Sequence, residues 1–270
     1  MMALFKRSNG MDIISYKKIK EDRLKSEIKF PREDFCFECV RLKTNCLCSL
    51  IHPFHTDIFF VLLLHPMEAK KEKMGTGKLS KLSLKNSHII TGVDFSEDAE
   101  VNNLINDSNN YCMILYPGKN ALNISDDDPF QLFEQKQKGL RLVVFLIDGT
   151  WPCAKKMMRQ SKNLQILPRI SFTAKHTSIF EIKEQPADFC LSTLESIHFF
   201  IQECNRVGLE DTRGSENQMI CLFKAMIDFQ IKCSLDPNLS SYTKGELGYS
   251  KKEDRIRPKK WLTRNIVLAD

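Results

Sequence analysis

An acid, a hydroxyl and an indole stand together at Asp148, Thr150 and Trp151, and four thiols fall close in sequence at Cys36, Cys39, Cys46 and Cys48. The first group has the parts for proton transfer and for stacking on a flat ring: a carboxylate takes up a proton, and an indole face holds a base. The second offers soft ligands in two close pairs, which tetrahedral zinc prefers. Such a clip stabilises a short segment with little core of its own. His52 and His55 lie near enough in sequence to replace one thiolate. Plainer readings stand beside both: Asp148 or Thr150 as a helix cap with Trp151 filling core space, and four reduced thiols in a turn.

The acid needs an element to hold it. Leu142 to Ile147 is an uninterrupted apolar run, the pattern of a parallel strand covered on both faces. Asp148-Gly149-Thr150-Trp151-Pro152 then breaks it, and Pro152 is pre-organised for the start of a helix over Ala154 to Arg159. Asp57 to His65 and Tyr111 to Tyr116 are two further strands, ending in turns at His65-Pro66 and Pro117-Gly118, with a short strand at His88 to Gly92. Lys78 to Lys85 is an amphipathic run, helices are expected over Asp98 to Asn106 and Ser215 to Lys232, and short strands at Leu164 to Phe172 and Ile179 to Ile182. In Leu191-Ser192-Thr193-Leu194-Glu195, Ser192 or Thr193 caps a helix with Glu195 in its first turn, or faces a ligand. Alternating strands and helices define an α/β class with a mostly parallel sheet. Ligands in such sheets bind at the carboxyl ends of the strands. Gly75-Thr76-Gly77 follows a strand, but Ser80 stands where a dinucleotide fingerprint needs glycine, and no P-loop occurs.

The chain has 270 residues, 42% hydrophobic and 27% charged, enough for one large domain with a small appendage. The longest apolar run, Ile58 to Leu64, is far short of the roughly 20 residues that span a bilayer, and the first residues are charged. A cytoplasmic protein without membrane association is expected. The ten cysteines are then reduced rather than paired, and the six outside the cluster fit small buried positions. A net charge of +6 is a weak global signal, but its distribution is not. Lysines gather at Lys70 to Lys85; Lys155, Lys156, Arg159 and Lys162 follow Trp151; Lys251 to Lys260 carry six more cations. Three basic patches suit a polyanion. The divisions expected are a basic N-terminal extension over 1–34, a cysteine-rich segment over 35–55, an α/β domain over 56–235 and a basic tail over 236–270.

These elements, in this order, resemble the DTW-domain family of tRNA-uridine aminocarboxypropyltransferases. The resemblance rests on Cys36-x-x-Cys39 with Cys46-x-Cys48, His65-Pro66-x-Glu68, Thr76-Gly77, Tyr116-Pro117-Gly118, Asp148-x-Thr150-Trp151, and Leu191-Ser192-Thr193-x-Glu195. It departs from the family pattern at Glu38, Leu42 and Gly75.

The resemblance implies a sheet related to the knotted SPOUT methyltransferases. It also implies transfer of the 3-amino-3-carboxypropyl group of S-adenosylmethionine to the ring imide nitrogen of a tRNA uridine, releasing methylthioadenosine. In that scheme Asp148 removes or orients the imide proton, Thr150 binds the amino acid moiety or orients Asp148, and Trp151 stacks on uracil or adenine. His65, Pro66, Glu68, Thr76, Gly77, Tyr116, Pro117, Gly118, Ser192, Thr193 and Glu195 surround the nucleotide, while Lys155, Lys156 and Arg159 meet RNA phosphates. Zinc sits structurally on Cys36, Cys39, Cys46 and Cys48. Two other classes fit the same residues: an S-adenosylmethionine-dependent RNA methyltransferase, and a zinc-stabilised RNA-binding protein without catalysis.

Overall fold

A computed structural model describes residues 34–39, 41–71, 75–182 and 190–235. The N-terminal extension to residue 33, the tail from 236 and the side chains of Lys70, Lys71 and Lys73 lie outside the described residues. The strands are β1 (Phe59–Leu64), β2 (Ser87–Thr91), β3 (Asn110–Leu115), β4 (Leu122–Asn123), β5 (Arg141–Asp148) and β6 (Arg169–Ser171). The helices are α1 (Pro66–Lys71), α2 (Thr76–Ser83), α3 (Ala99–Asn106), α4 (Phe130–Gln137), α5 (Trp151–Gln160), α6 (Lys162–Gln165), α7 (Thr193–Val207) and α8 (Asn217–Leu235).

Among the described residues the six strands form one sheet with every pairing in it parallel, in the order β2-β1-β5-β3-β6-β4. The apolar runs explain why. Along β1 and β5 successive side chains point to opposite faces, and both faces are dry. Phe60, Leu62, Leu142, Val144 and Leu146 face one core layer, closed by α2, α7 and α8. Val61, Leu63, Val143 and Phe145 face the other, closed by Val101 of α3 and by Met157 and Met158 of α5. Phe60 and Phe145 are wholly buried, each worth about 1.5–3 kcal/mol of transfer free energy. The pairing of Leu64 with Asp148 fixes the depth at which the acid leaves the sheet.

Several short elements differ from the sequence reading. Residues 164–172 divide into a helical turn and a strand, because Ser161 ends α5 and begins α6, and Pro168 favours extended backbone just before β6. Ile179 to Ile182 joins no ladder. Its neighbours are held instead by a side chain, since Ile179 N and Ser178 Oγ donate to Glu195, and Phe180 meets Phe223 edge-on at 5.0 Å. Pro66 ends a strand as expected but also opens α1. Neither β4 nor α4 carries a periodic signal strong enough to anticipate. None of the ten cysteines is in a disulfide. Cys112, Cys190 and Cys204 are buried as small hydrophobes, whereas Cys153 and Cys233 are half-buried and Cys221 is exposed.

Candidate active site and metal centre

Strands β3, β5 and β6 deliver their carboxyl ends to one edge of the sheet, and the loops that follow them, with the start of α7, line a cleft of about 300 Å³. Tyr116 and Pro117 line it after β3, Gly149 and Trp151 after β5, Phe172 after β6, and Thr193 at the start of α7. Of the residues singled out in the sequence, these are joined by Leu191. The apolar floor of Leu115, Leu146, Ile147 and Ile170 was missed as a site because its residues read as ordinary strand. Ser196, one helical turn beyond Thr193, also lines the cleft and could have been found by following the exposed face of that helix.

Asp148 is the last residue of β5 and is nearly buried, 7% exposed. Its carboxylate is gripped from two directions. Thr193 Oγ1 donates to Oδ1 at 2.6 Å. Oδ2 lies against Gly77 in the first turn of α2, where a Cβ would stand only 2.1 Å away. Glycine is required there for the close approach. The Asp148 carbonyl accepts from His65 N at 2.9 Å, tying the ends of β1 and β5 together. His65 Nδ1 in turn accepts from Met67 N at 3.2 Å, so the imidazole serves the start of α1. Gly149 packs within 3.3 Å of the His65 Cβ from the site where its own Cβ would be.

Thr150 occupies the N-cap position of α5, exposed, with no side-chain capping bond. The hydroxyl bonded to Asp148 is that of Thr193. Trp151 is half-buried at the first position of α5, before Pro152. One and two turns on, Lys155 is half-buried and Lys156 and Arg159 are exposed. Tyr116 is buried, which pushes its phenol above the usual range, and Arg169, 5.6 Å over the ring, opposes the shift. Gly118 makes room for that arginine, whose Nη1 lies 2.6 Å from where a Cβ would be.

Ser192 and Glu195 form a capping box at the start of α7. Glu195 Oε2 accepts from Ser192 N and Ser178 Oγ, both at 2.8 Å, and Oε1 from Ile179 N at 2.7 Å. Of the two readings open for these residues, capping is what the geometry provides, and Glu195 also fastens the loop beside the cleft. Pro66, Glu68 and Thr76 lie on α1 and α2 and are not among the residues that line the cleft.

The four thiols of the cysteine segment converge, with all sulfur atoms within 4.8 Å of one another. Cys36 and Cys48 are 3.5 Å apart and Cys39 and Cys46 3.7 Å. Tetrahedral zinc with bonds of about 2.3 Å to sulfur sets its ligands about 3.8 Å apart, so the donor set fits that ion. Neither His52 nor His55 joins it. Hydrogen bonds from the Cys39 backbone and the Cys48 thiol lower Cys36 to about 6, while burial and neighbouring thiols push Cys48 up. The clip is anchored by Cys39 and Leu47 in the main core and by the Arg41 guanidinium 4.9 Å over the Phe229 ring of α8.

The class of protein so defined is a parallel α/β domain with a cleft at its carboxyl edge and a four-cysteine clip. Residues 33–231 match the DTW domain, and the chain belongs to that family. It is 28% identical over 222 residues to tRNA-uridine aminocarboxypropyltransferase 2 of Macaca fascicularis, covering 79% of this chain and 72% of the relative. The Mus musculus protein of the same name is 27% identical over 75% of this chain and 67% of its own length. That of Drosophila melanogaster is 29% identical over 61% of this chain and 64% of its own. No solved structure matches. Among the described residues no helix is long and apolar enough to cross a membrane.

Proposed function

We propose that this protein transfers the 3-amino-3-carboxypropyl group of S-adenosylmethionine to the ring imide nitrogen of a uridine in tRNA, releasing methylthioadenosine. Membership of the DTW family and the names of the relatives support the reaction class. The observation that carries the reading is the meeting of Trp151, Tyr116 and Thr193 in one cleft at the sheet's carboxyl edge, with Asp148 directly behind Thr193. Its volume of about 300 Å³ falls at the lower end of small-molecule pockets, which run from about 300 to 1,000 Å³. Its apolar floor with a few hydroxyls suits an adenosine with a thioether.

A sulfonium is already a good leaving group, so the protein's task is placement and proton removal. The cleft walls hold the donor carbon in line with the nucleophile, about 3–3.5 Å away. Trp151 gives the splayed uracil a face, worth about 1–3 kcal/mol by stacking. Asp148 takes up the imide proton. Lys155, Lys156 and Arg159 on α5 meet phosphates beside the cleft. Zinc on Cys36, Cys39, Cys46 and Cys48 has a structural part, fixing residues 35–55 against the catalytic domain over 56–235. The place of action is the cytoplasm.

Incubation of the purified protein with unmodified tRNA and S-adenosylmethionine tests this. Methylthioadenosine in the supernatant, with a uridine heavier by the aminocarboxypropyl group in the digested RNA, is the expected result. S-adenosylhomocysteine with a methylated nucleoside would make it a methyltransferase. RNA binding with neither product would leave a non-catalytic RNA-binding protein.

A further inference from the structure

Asp148 is nearly buried and is not among the residues that line the cleft, whereas Thr193, which does line it, donates its only hydroxyl proton to Asp148 Oδ1 at 2.6 Å. With its proton committed inward, Thr193 Oγ1 presents lone pairs to the cleft as an acceptor. On the reading of the reaction given above, the geometry points to Thr193 as a catalytic residue that relays the imide proton from uracil to Asp148. Thr150 is exposed and makes no side-chain capping bond.

The step balances. As the imide nitrogen gives its proton to Thr193 Oγ1, the threonine hydroxyl proton passes to Asp148 Oδ1. The nitrogen lone pair forms the bond to carbon, and the carbon–sulfur pair leaves with sulfur as neutral methylthioadenosine. One negative charge on Asp148 and one positive charge on sulfur vanish together, so the cleft ends the step neutral.

Thr193→Val keeps the shape and removes the hydroxyl. It should slow methylthioadenosine formation by about 10²-fold or more, within the range of general acid–base effects of about 10²–10⁴. Its affinity for S-adenosylmethionine, measured calorimetrically, should fall by far less than the rate, and Thr193→Ser should restore most of the rate. The deficit of Thr193→Val should narrow as pH rises towards the imide's own ionisation, because a pre-ionised base needs no relay. Asp148→Asn, which still accepts the Thr193 hydrogen bond but takes up no proton, should show the same narrowing. A Thr193→Val rate equal to wild type, a deficit constant with pH, or a loss of nucleotide affinity in step with the rate would overturn the relay. Failure of the wild-type protein to form methylthioadenosine would instead sink the group-transfer reading, and the relay with it.

Discussion

At Gly77 an added Cβ would stand 2.1 Å from Asp148 Oδ2 and 3.0 Å from its Cγ, so Gly77→Ala must push the carboxylate or the first turn of α2 aside. Overpacking of this kind costs about 1–3 kcal/mol, and a shift of the acid by a fraction of an ångström is felt in turnover. The expected outcome is a lower urea midpoint for Gly77→Ala together with a larger loss of product formation than the lost stability explains, read in parallel denaturation and activity assays. At this scale the sequence was partly legible. Asp148, Trp151, Tyr116 and Thr193 stood out by residue type beside strand ends and helix starts. That Thr193 and not Thr150 binds the acid was not legible, because the two partners are 45 positions apart and no local periodicity reports such a pairing. Glu195 was ambiguous for the opposite reason: a capping box and a ligand-facing acid have the same local spelling.

Among the elements, the cysteine clip makes the sharpest case, since its two 3-10 turns, Lys43–Asn45 and Cys48–Leu50, bury nothing themselves. Purified protein should carry one zinc per chain by elemental analysis, and Cys36→Ser/Cys46→Ser should carry none. A strong chelator should lower the melting temperature of the wild type only. With Cys36 lowered to about 6 and Cys48 raised, metal binding displaces protons from the set. Zinc affinity should therefore weaken as pH falls. Long elements were legible wherever an apolar run or a capping signal was strong, as in β1, β5 and α7. Two-residue β4 and residues 179–182 were not. There the backbone is positioned by partners distant in sequence, the first by β6 and the second by the Glu195 carboxylate.

For the whole molecule, a net charge of +6 says little, and the placement of cations beside the cleft says more. Lys156 and Arg159 are exposed on the helix that Trp151 begins. Replacing either with alanine should weaken tRNA binding alike across sequences and reduce the slope of log affinity against log salt by about 1, measured by titration at several ionic strengths. The parallel class was legible because the strands are apolar on both faces; the strand order was not, since hydropathy carries no record of which strands are neighbours. That order has a consequence during synthesis. The ribosome releases β1, β2 and β3 before β5, the strand that must lie between β1 and β3. Until residues 141–148 emerge, the edges of β1 and β3 that β5 will join stand bare, and the other edge of β3 waits for β6; such edges template pairing with other chains. The hazard of aggregation at these edges thus falls in two steps, first as β5 slots between β1 and β3 and then as β6 arrives with residues 169–171.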